Sequence, residues 1–505
     1  MAETAAPGAL DQLKRELEGI ADIERAAAVL GWDQQTQMPP HGAAGRAESL
    51  AALRAIAHER LTSAKLGALL QQAQEAVSGL DRDSDDYNLV RVIRRDYDRG
   101  TRVPVELVAE RARTAARANS VWKAARRDND FAAFAPWLQR NIDLSRRLAE
   151  HLGYAERPFD ALIGLREPGL TTAAVQAIFA TLRPALIDLM QRIAPLAATV
   201  DDAPLHRVFD EPTQERLCRD AVARFGYDFS RGRLDRTAHP FETSFGRQDV
   251  RITTRFSEHF LPMALMGTMH EAGHGLYEQG VGESLDRSLL DHGVSSGVHE
   301  SQSRLWENYV GRGLPFWRFY YPVVRAAFPE ALGDIDVDAF YRAINKVQPS
   351  LIRVEADEVT YCLHIMLRFE LEIALFDGEL RVQDAPEAWN AAMQSYLGLT
   401  APTDSDGILQ DVHWASGLGG FQGYALGNII AAQLWEAVHR AFPDLDEQLG
   451  SGQFAGLLGW LREHVHRHGR KFDPADLIQR ATGAPLTAEP YLRYLRAKFG
   501  AIYAL

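Results

Sequence analysis

Sixteen histidines are spread over 505 residues, and one pair has the spacing to hold a metal ion: His270-Glu271-Ala272-Gly273-His274. On a helix each residue turns about 100°, so four steps leave His270 and His274 about 40° apart, one turn above the other. Two neutral imidazoles so placed suit a tetrahedral ion, whose nitrogen ligands lie at about 2.0–2.1 Å. Glu271 falls on the neighbouring flank. There its carboxylate reaches a water activated by the ion rather than the ion itself, and can take its proton as the oxygen attacks a carbonyl. Chance produces H-E-x-x-H only about a few hundredths of a time in a chain of this composition. The competing reading is an amphipathic helix with two ordinary histidines. Met263, Ala264, Leu265, Met266, Met269 and Leu276 argue against it, because they make the helix apolar almost all round. A buried His-Glu-His needs a reason.

A catalytic ion also needs a third protein ligand and an open position. Gly275, Leu276, Tyr277 and Glu278 follow His274, which excludes the metzincin pattern of a further glycine and histidine. Downstream carboxylates include Glu278, Glu283, Asp286, Glu300 and Glu307. Glu300 lies 26 residues past His274, beyond a break carrying Gly280, Gly282, Gly293 and Gly297. A second helix starting near Val298 would cross or run antiparallel to the first and bring Glu300 to the ion. Another cluster, His464, His466 and His468, also has a one-turn pair. No carboxylate follows either histidine there, and Arg462, Arg467, Arg470 and Lys471 make the patch cationic. It reads as a solvated helix end closed by Gly469.

The elements that must position these residues are mostly helices. Leu10, Leu13, Leu17, Ile20 and Ile23 line one helical stripe. Similar periodicity recurs over 50–70, 87–97, 105–122, 131–152, 175–196 and 215–225, punctuated by Pro39-Pro40, Glu167-Pro168-Gly169 and Gly226. Residues 237–256 differ. Thr, Phe, Val and Ile flank Gly246, and Val250, Ile252 and Thr254 alternate with polar neighbours, as in a small hairpin or sheet. The expectation is one large, mainly α domain over 1–505, helical in 1–236, with the catalytic part in 237–505.

Composition narrows the function classes. The chain is 46% hydrophobic and 24% charged, with a net charge of −13. A surface that acidic repels phosphate backbones, so nucleic acid is not an expected partner. Cys218 and Cys362 are too few for a disulfide framework. The N-terminal residues do not read as a secretory signal. Residues 412–435 lack Asp, Glu, Lys and Arg, yet His413, Gln422, Asn428, Gln433 and five glycines suit a buried segment better than a lipid-facing one. No membrane association and a cytoplasmic location are expected.

Further motifs then give the chain a family resemblance. Asp249-Val250-Arg251-Ile252-Thr253, His299-Glu300-Ser301, Ile352-Arg353-Val354-Glu355-Ala356-Asp357 and Gly423-Tyr424-Ala425-Leu426-Gly427 accompany the H-E-x-x-H element in order, with Trp32-Asp33 near the start. Together they resemble the carboxypeptidase Taq family of metallocarboxypeptidases over nearly the whole chain. The resemblance selects Glu300 as third ligand beside His270 and His274, and implies Glu271 as general base. It assigns Arg353 to the substrate's terminal carboxylate, a role suited to a planar pair of donors, and Tyr424 to the lining of the site. Spacing alone favours an ion pair of Arg353 with Glu355, Asp357 or Glu358, and a packed core tyrosine stays open as the other reading of Tyr424. His239, Asp249, Arg251, His299 and His413 are weaker site candidates. The family implies a large helical gluzincin-type fold with a deep active-site groove, a homodimer, and zinc as the default ion with cobalt possible. The function expected is release of single residues from peptides with a free C-terminus. Two other readings remain at this point: an endopeptidase or aminopeptidase, and a non-catalytic peptide-binding or metal-storage protein.

Overall fold

The computed structural model describes residues 8–505, which are mainly α-helical with one three-stranded sheet. Helices span Ala9–Thr36, Asp85–Arg102, Val105–Asp128, Phe131–Leu152, Thr172–Ile193 and Glu211–Phe225, while the 50–70 segment is divided between two helices, Ala43–Leu61 and Ala64–Val77. Polar caps set several starts. Ser63, Ser84, Thr171 and Asp210 each accept a hydrogen bond from a backbone N–H in the first turn.

The strand segment is more than a hairpin. β2 (Glu242–Ser244) and β3 (Val250–Thr254) pair antiparallel across a turn where Gly246 takes φ 108°. A third strand, β1 (Gly232–Arg236), lies upstream of the expected bounds and pairs parallel with β3, giving the order β1-β3-β2. Alternation missed β1 because Gly-Arg-Leu-Asp-Arg carries only one apolar side chain.

Two hydrophobic cores coexist. The larger takes in most helices from Leu107 onward. The smaller gathers Leu13, Leu17, Ile20, Leu70, Val92 and Ile93 of the N-terminal helices around Val281, Leu285, Leu289 and Leu290. Those last four belong to the strap between the helix bearing His270 and the helix bearing Glu300. Arg287 and Leu289 in it hold left-handed φ values of 59° and 62°. Such conformations persist only when surroundings over-determine them. Here Arg25 grips Asp286 and Asp291, each at 2.5 Å, and Arg287 pairs with Asp22 at 2.6 Å.

The charge-free stretch 412–435 is mostly buried from Phe421 onward, in the helix Gln422–Ala441, while Val412 and Ser416 before it are exposed. By length and composition alone Thr172–Thr199 is apolar enough to cross a membrane. Val175, Phe179, Leu182, Leu186 and Ile193 on it pack into the larger core.

Candidate active site

The helix Leu261–Gly280 begins with Pro262 in its first turn and is buried along most of its length. His270 and His274 stand one turn apart, with ring centroids separated by 5.0 Å. The helix Ser296–Arg304 packs across it and delivers Glu300. Glu300 Oε2 lies 3.7 Å from His270 Nε2 and 3.5 Å from His274 Nε2. Ligand atoms about 2.0–2.1 Å from a tetrahedral ion sit roughly 3.3 Å from each other, so these three side chains fit one. They are the group of three His, Cys, Asp or Glu residues found close enough for a shared ion among the described residues.

Two glycines allow this approach. A Cβ at Gly273, inside the H-E-x-x-H element, would come within 2.5 Å of Gln302 O and 2.6 Å of Ser303 Cα. A Cβ at Gly427, on the neighbouring helix Gln422–Ala441, would fall 2.4 Å from Glu300 Cγ. Glu300 is therefore clamped between helices that touch through glycine faces.

Each imidazole has an outer partner, as metal-bound histidines require. His270 Nδ1 meets Glu307 Oε2 at 2.9 Å. Glu307 lies just past Arg304, where the helix widens to π turns over Leu305–Val310. Behind His274 the chain is longer: its Nδ1 lies 2.5 Å from His299 Nδ1, and His299 Nε2 lies 2.9 Å from Glu278 Oε1. A neutral His299 that donates from Nε2 to the Glu278 carboxylate accepts at Nδ1 from His274 Nδ1, and that tautomer leaves His274 Nε2 as a lone pair facing Glu300. Burial above all pushes the His274 pKa down to about 3, so its imidazole is neutral. Burial would raise Glu300, but Arg304 (2.7 Å away), His270 and His274 outweigh it and hold the carboxyl well below its usual range.

Glu271 differs from Glu278, Glu300 and Glu307. It is buried, and among the described residues it has no hydrogen-bond partner. Burial, with Glu300 and Glu307 adding, pushes its pKa up to about 7. That suits a group that takes and returns a proton near neutrality.

Arg353 and Tyr424 form a second cluster. Arg353 does not pair with Glu355, Asp357 or Glu358. Its partner is Asp411, 2.8 Å from Nη2, and its guanidinium lies 5.2 Å from the centre of the Tyr424 ring. Glu358 instead holds Lys498, and Asp357 takes backbone N–H groups of Gln348, Val359 and Thr360. His413 Nε2 meets the Tyr424 hydroxyl at 3.0 Å. Burial, reinforced by Arg353 and Arg368 against Asp411, pushes the His413 pKa down to about 4. His239 is exposed, and partial burial together with the charges of Arg353 and Arg255 lowers its pKa. Asp249 and Arg251 are engaged elsewhere: they pair with each other at 2.8 Å, and Arg251 lies 4.3 Å over the Trp32 ring. That clamp ties the N-terminal helix to the sheet.

The histidine patch at 464–468 is only partly solvated: Arg467 is exposed, and His464 and His468 are half-buried. His466 is fully buried, packs on Tyr277 and meets Gln302 Oε1 at 2.9 Å. Its ring fills the space left by the absent side chain of Gly280, a contact that local charge could not disclose.

Residues 12–499 match the family model for carboxypeptidase Taq (M32) metallopeptidases. The chain belongs to that family. It is 41% identical to thermostable carboxypeptidase 1 of Thermus thermophilus, with both chains covered in full. It is 39% identical to carboxypeptidase 1 of Bacillus subtilis, over 98% of each. The crystal structure of an M32 carboxypeptidase from Deinococcus radiodurans superposes with a TM-score of 0.96 at 44% identity, covering 98% of this chain and all of that one. This M32 chain is thus a metallocarboxypeptidase, a peptide hydrolase with a metal cofactor.

Several functional neighbours escaped the sequence reading. Glu278 stands four residues after His274 and Glu307 seven after Glu300, both helical spacings, so a signal for them existed. Both entered the sequence reading only as rival metal ligands. Asp411 and Arg368 left no local signal, since they reach Arg353 from distant segments.

Proposed function

We propose that this metallocarboxypeptidase releases single amino acids from peptide C-termini, using zinc held by His270, His274 and Glu300 with Glu271 as general base. The observation that carries the reading is the convergence of two Nε2 atoms on one carboxylate oxygen, at 3.7 and 3.5 Å from it, beside the carboxyl of Glu271, which has no hydrogen-bond partner among the described residues. A bound zinc ion supplies Lewis acidity toward the scissile carbonyl and makes water a nucleophile near neutral pH. Glu271 takes the proton from that water and passes it to the leaving amine. Glu307 and the His299–Glu278 pair keep the imidazole lone pairs aimed inward. Arg353 binds the terminal carboxylate of the substrate. Tyr424, oriented by His413, donates its hydroxyl to the substrate; its pKa, raised to about 12 chiefly by burial, keeps it protonated. Mixed imidazole and carboxylate donors support zinc, with cobalt as the alternative ion.

The family kinship also supports a homodimer in the cytoplasm, and the two buried, unpaired cysteines suit a reducing compartment. Timed digestion of an unblocked peptide and its C-terminal amide, with and without chelator, tests the central reading. Stepwise loss of one residue at a time from the free acid alone, abolished by chelator and restored by zinc, is the expected result. Equal cleavage of the amide would replace it with an endopeptidase.

A further inference from the structure

The guanidinium assigned to the substrate carboxylate is held by another buried ion pair. Arg353 spends its Nε and Nη2 on Asp411 Oδ1, at 3.1 and 2.8 Å, and its Nη1 on the Tyr361 hydroxyl at 3.3 Å. Of the five N–H donors of an arginine, one on each terminal nitrogen is left. Asp411 would not hold this position alone. Its other oxygen takes Arg368 Nε at 2.6 Å, and Arg368 is wholly buried, with Nη1 on His364 O at 2.8 Å and its plane 4.5 Å over Trp389.

The charge count is unbalanced. Two buried guanidinium groups face one carboxylate, and His413 and His364 beside them are driven neutral, chiefly by burial. An uncompensated buried charge costs stability and is tolerated where something else supplies the counter-charge. A second carboxylate, that of a substrate, would complete the balance. The cluster also reaches the metal side. Tyr361, which accepts from Arg353, lies with its ring 4.3 Å under Arg304, and Arg304 bonds Glu300.

Building on the assignment of Arg353 to the terminal carboxylate, we infer that Asp411 and Arg368 are positioning residues that preset Arg353 to receive it. Arg368 anchors Asp411, Asp411 occupies one edge of Arg353, and the remaining N–H pair is left presented to the ligand. Removing the anchor frees Arg353 to turn toward solvent, and binding of the free carboxylate weakens while chemistry at the metal persists.

The test uses the zinc-loaded enzyme with Asp411→Asn, Arg368→Lys and Arg353→Lys side by side. Two probes are measured: a free amino acid product, which binds through its carboxylate, and a small peptide hydroxamate without one, which binds through the metal. In Asp411→Asn and Arg368→Lys the product should bind at least ~10-fold more weakly, with hydroxamate affinity and kcat unchanged within ~3-fold and KM raised. Asp411→Glu, which keeps the charge, should recover part of the loss. Unchanged product binding in both variants, or an equal loss of both probes, overturns the inference. If Arg353→Lys alone weakens product binding, the carboxylate assignment survives and the positioning role does not. If Arg353→Lys leaves product binding intact, the assignment itself falls.

Discussion

The metal centre and the Arg353 cluster are both buried and both charged, but in opposite senses. Around His270 and His274 stand Glu271, Glu278, Glu300 and Glu307, with Glu242 behind His299, against Arg304 and Arg312. Around Asp411 stand Arg353 and Arg368. One enclave has surplus negative charge and suits a divalent cation; the other has surplus positive charge and suits a carboxylate. Under the proposed assignment of Arg353, this difference would give a peptide its direction, with a free C-terminus matching the cationic end. Arg304 and Tyr361 bridge the two enclaves, so their separation is built into packed side chains rather than loops.

The strongest way to break this contrast is at Glu271. Glu271→Gln should lower kcat at least ~100-fold while zinc content, measured by metal analysis, stays at that of the parent. Unchanged turnover would remove the base from the anionic enclave. On the cationic side, Arg353→Ala should cut kcat/KM on a free-acid peptide by roughly 30-fold or more, as loss of a charge-assisted pair implies, and erase the preference over the amide. Retained preference would place carboxylate recognition elsewhere. Glu307→Gln sharpens the comparison from behind the ligands. Zinc affinity, read by competition with a chelator, should fall about 10-fold, with the acid-to-amide ratio unaltered.

The smallest effect concerns the loop that carries His413. Glu372 accepts from Trp414 Nε1 and Gly419 N, each at 3.0 Å, and burial pushes its pKa from 4.5 to about 8. Because the folded value is the higher one, its favourable contribution is complete below about pH 4.5 and is lost as pH rises through about 8. Between those limits Glu372→Gln should flatten the fall in Tm by a few °C, roughly what a small free-energy change produces in a chain this long. Parallel Tm curves for parent and variant would contradict that charge state.

Much of the candidate metal centre was legible because His270 and His274 obey helical geometry. Four residues separate His270 from His274, and the apolar flanks announced a buried helix. Glu300 was legible only through resemblance, since several other downstream carboxylates competed and local pattern does not rank them. His466 was misread for a related reason: its cationic neighbours describe the surface of its own turn, while its ring is buried against Gly280 and Tyr277 from another helix. Asp249 and Arg251 lie within a recognised motif yet serve a clamp on Trp32, which shows that motif membership does not distinguish chemistry from architecture.

By itself the sequence determined the helical character, the H-E-x-x-H pair and its flank, and an acidic surface, because periodicity, short spacing and composition are local quantities. The partner of Arg353, the relay from His274 through His299 to Glu278, and the glycine contacts at Gly273 and Gly427 were decided only by tertiary structure. They join side chains from separate helices, and a buried charge or lone pair takes its meaning from whatever packing sets against it.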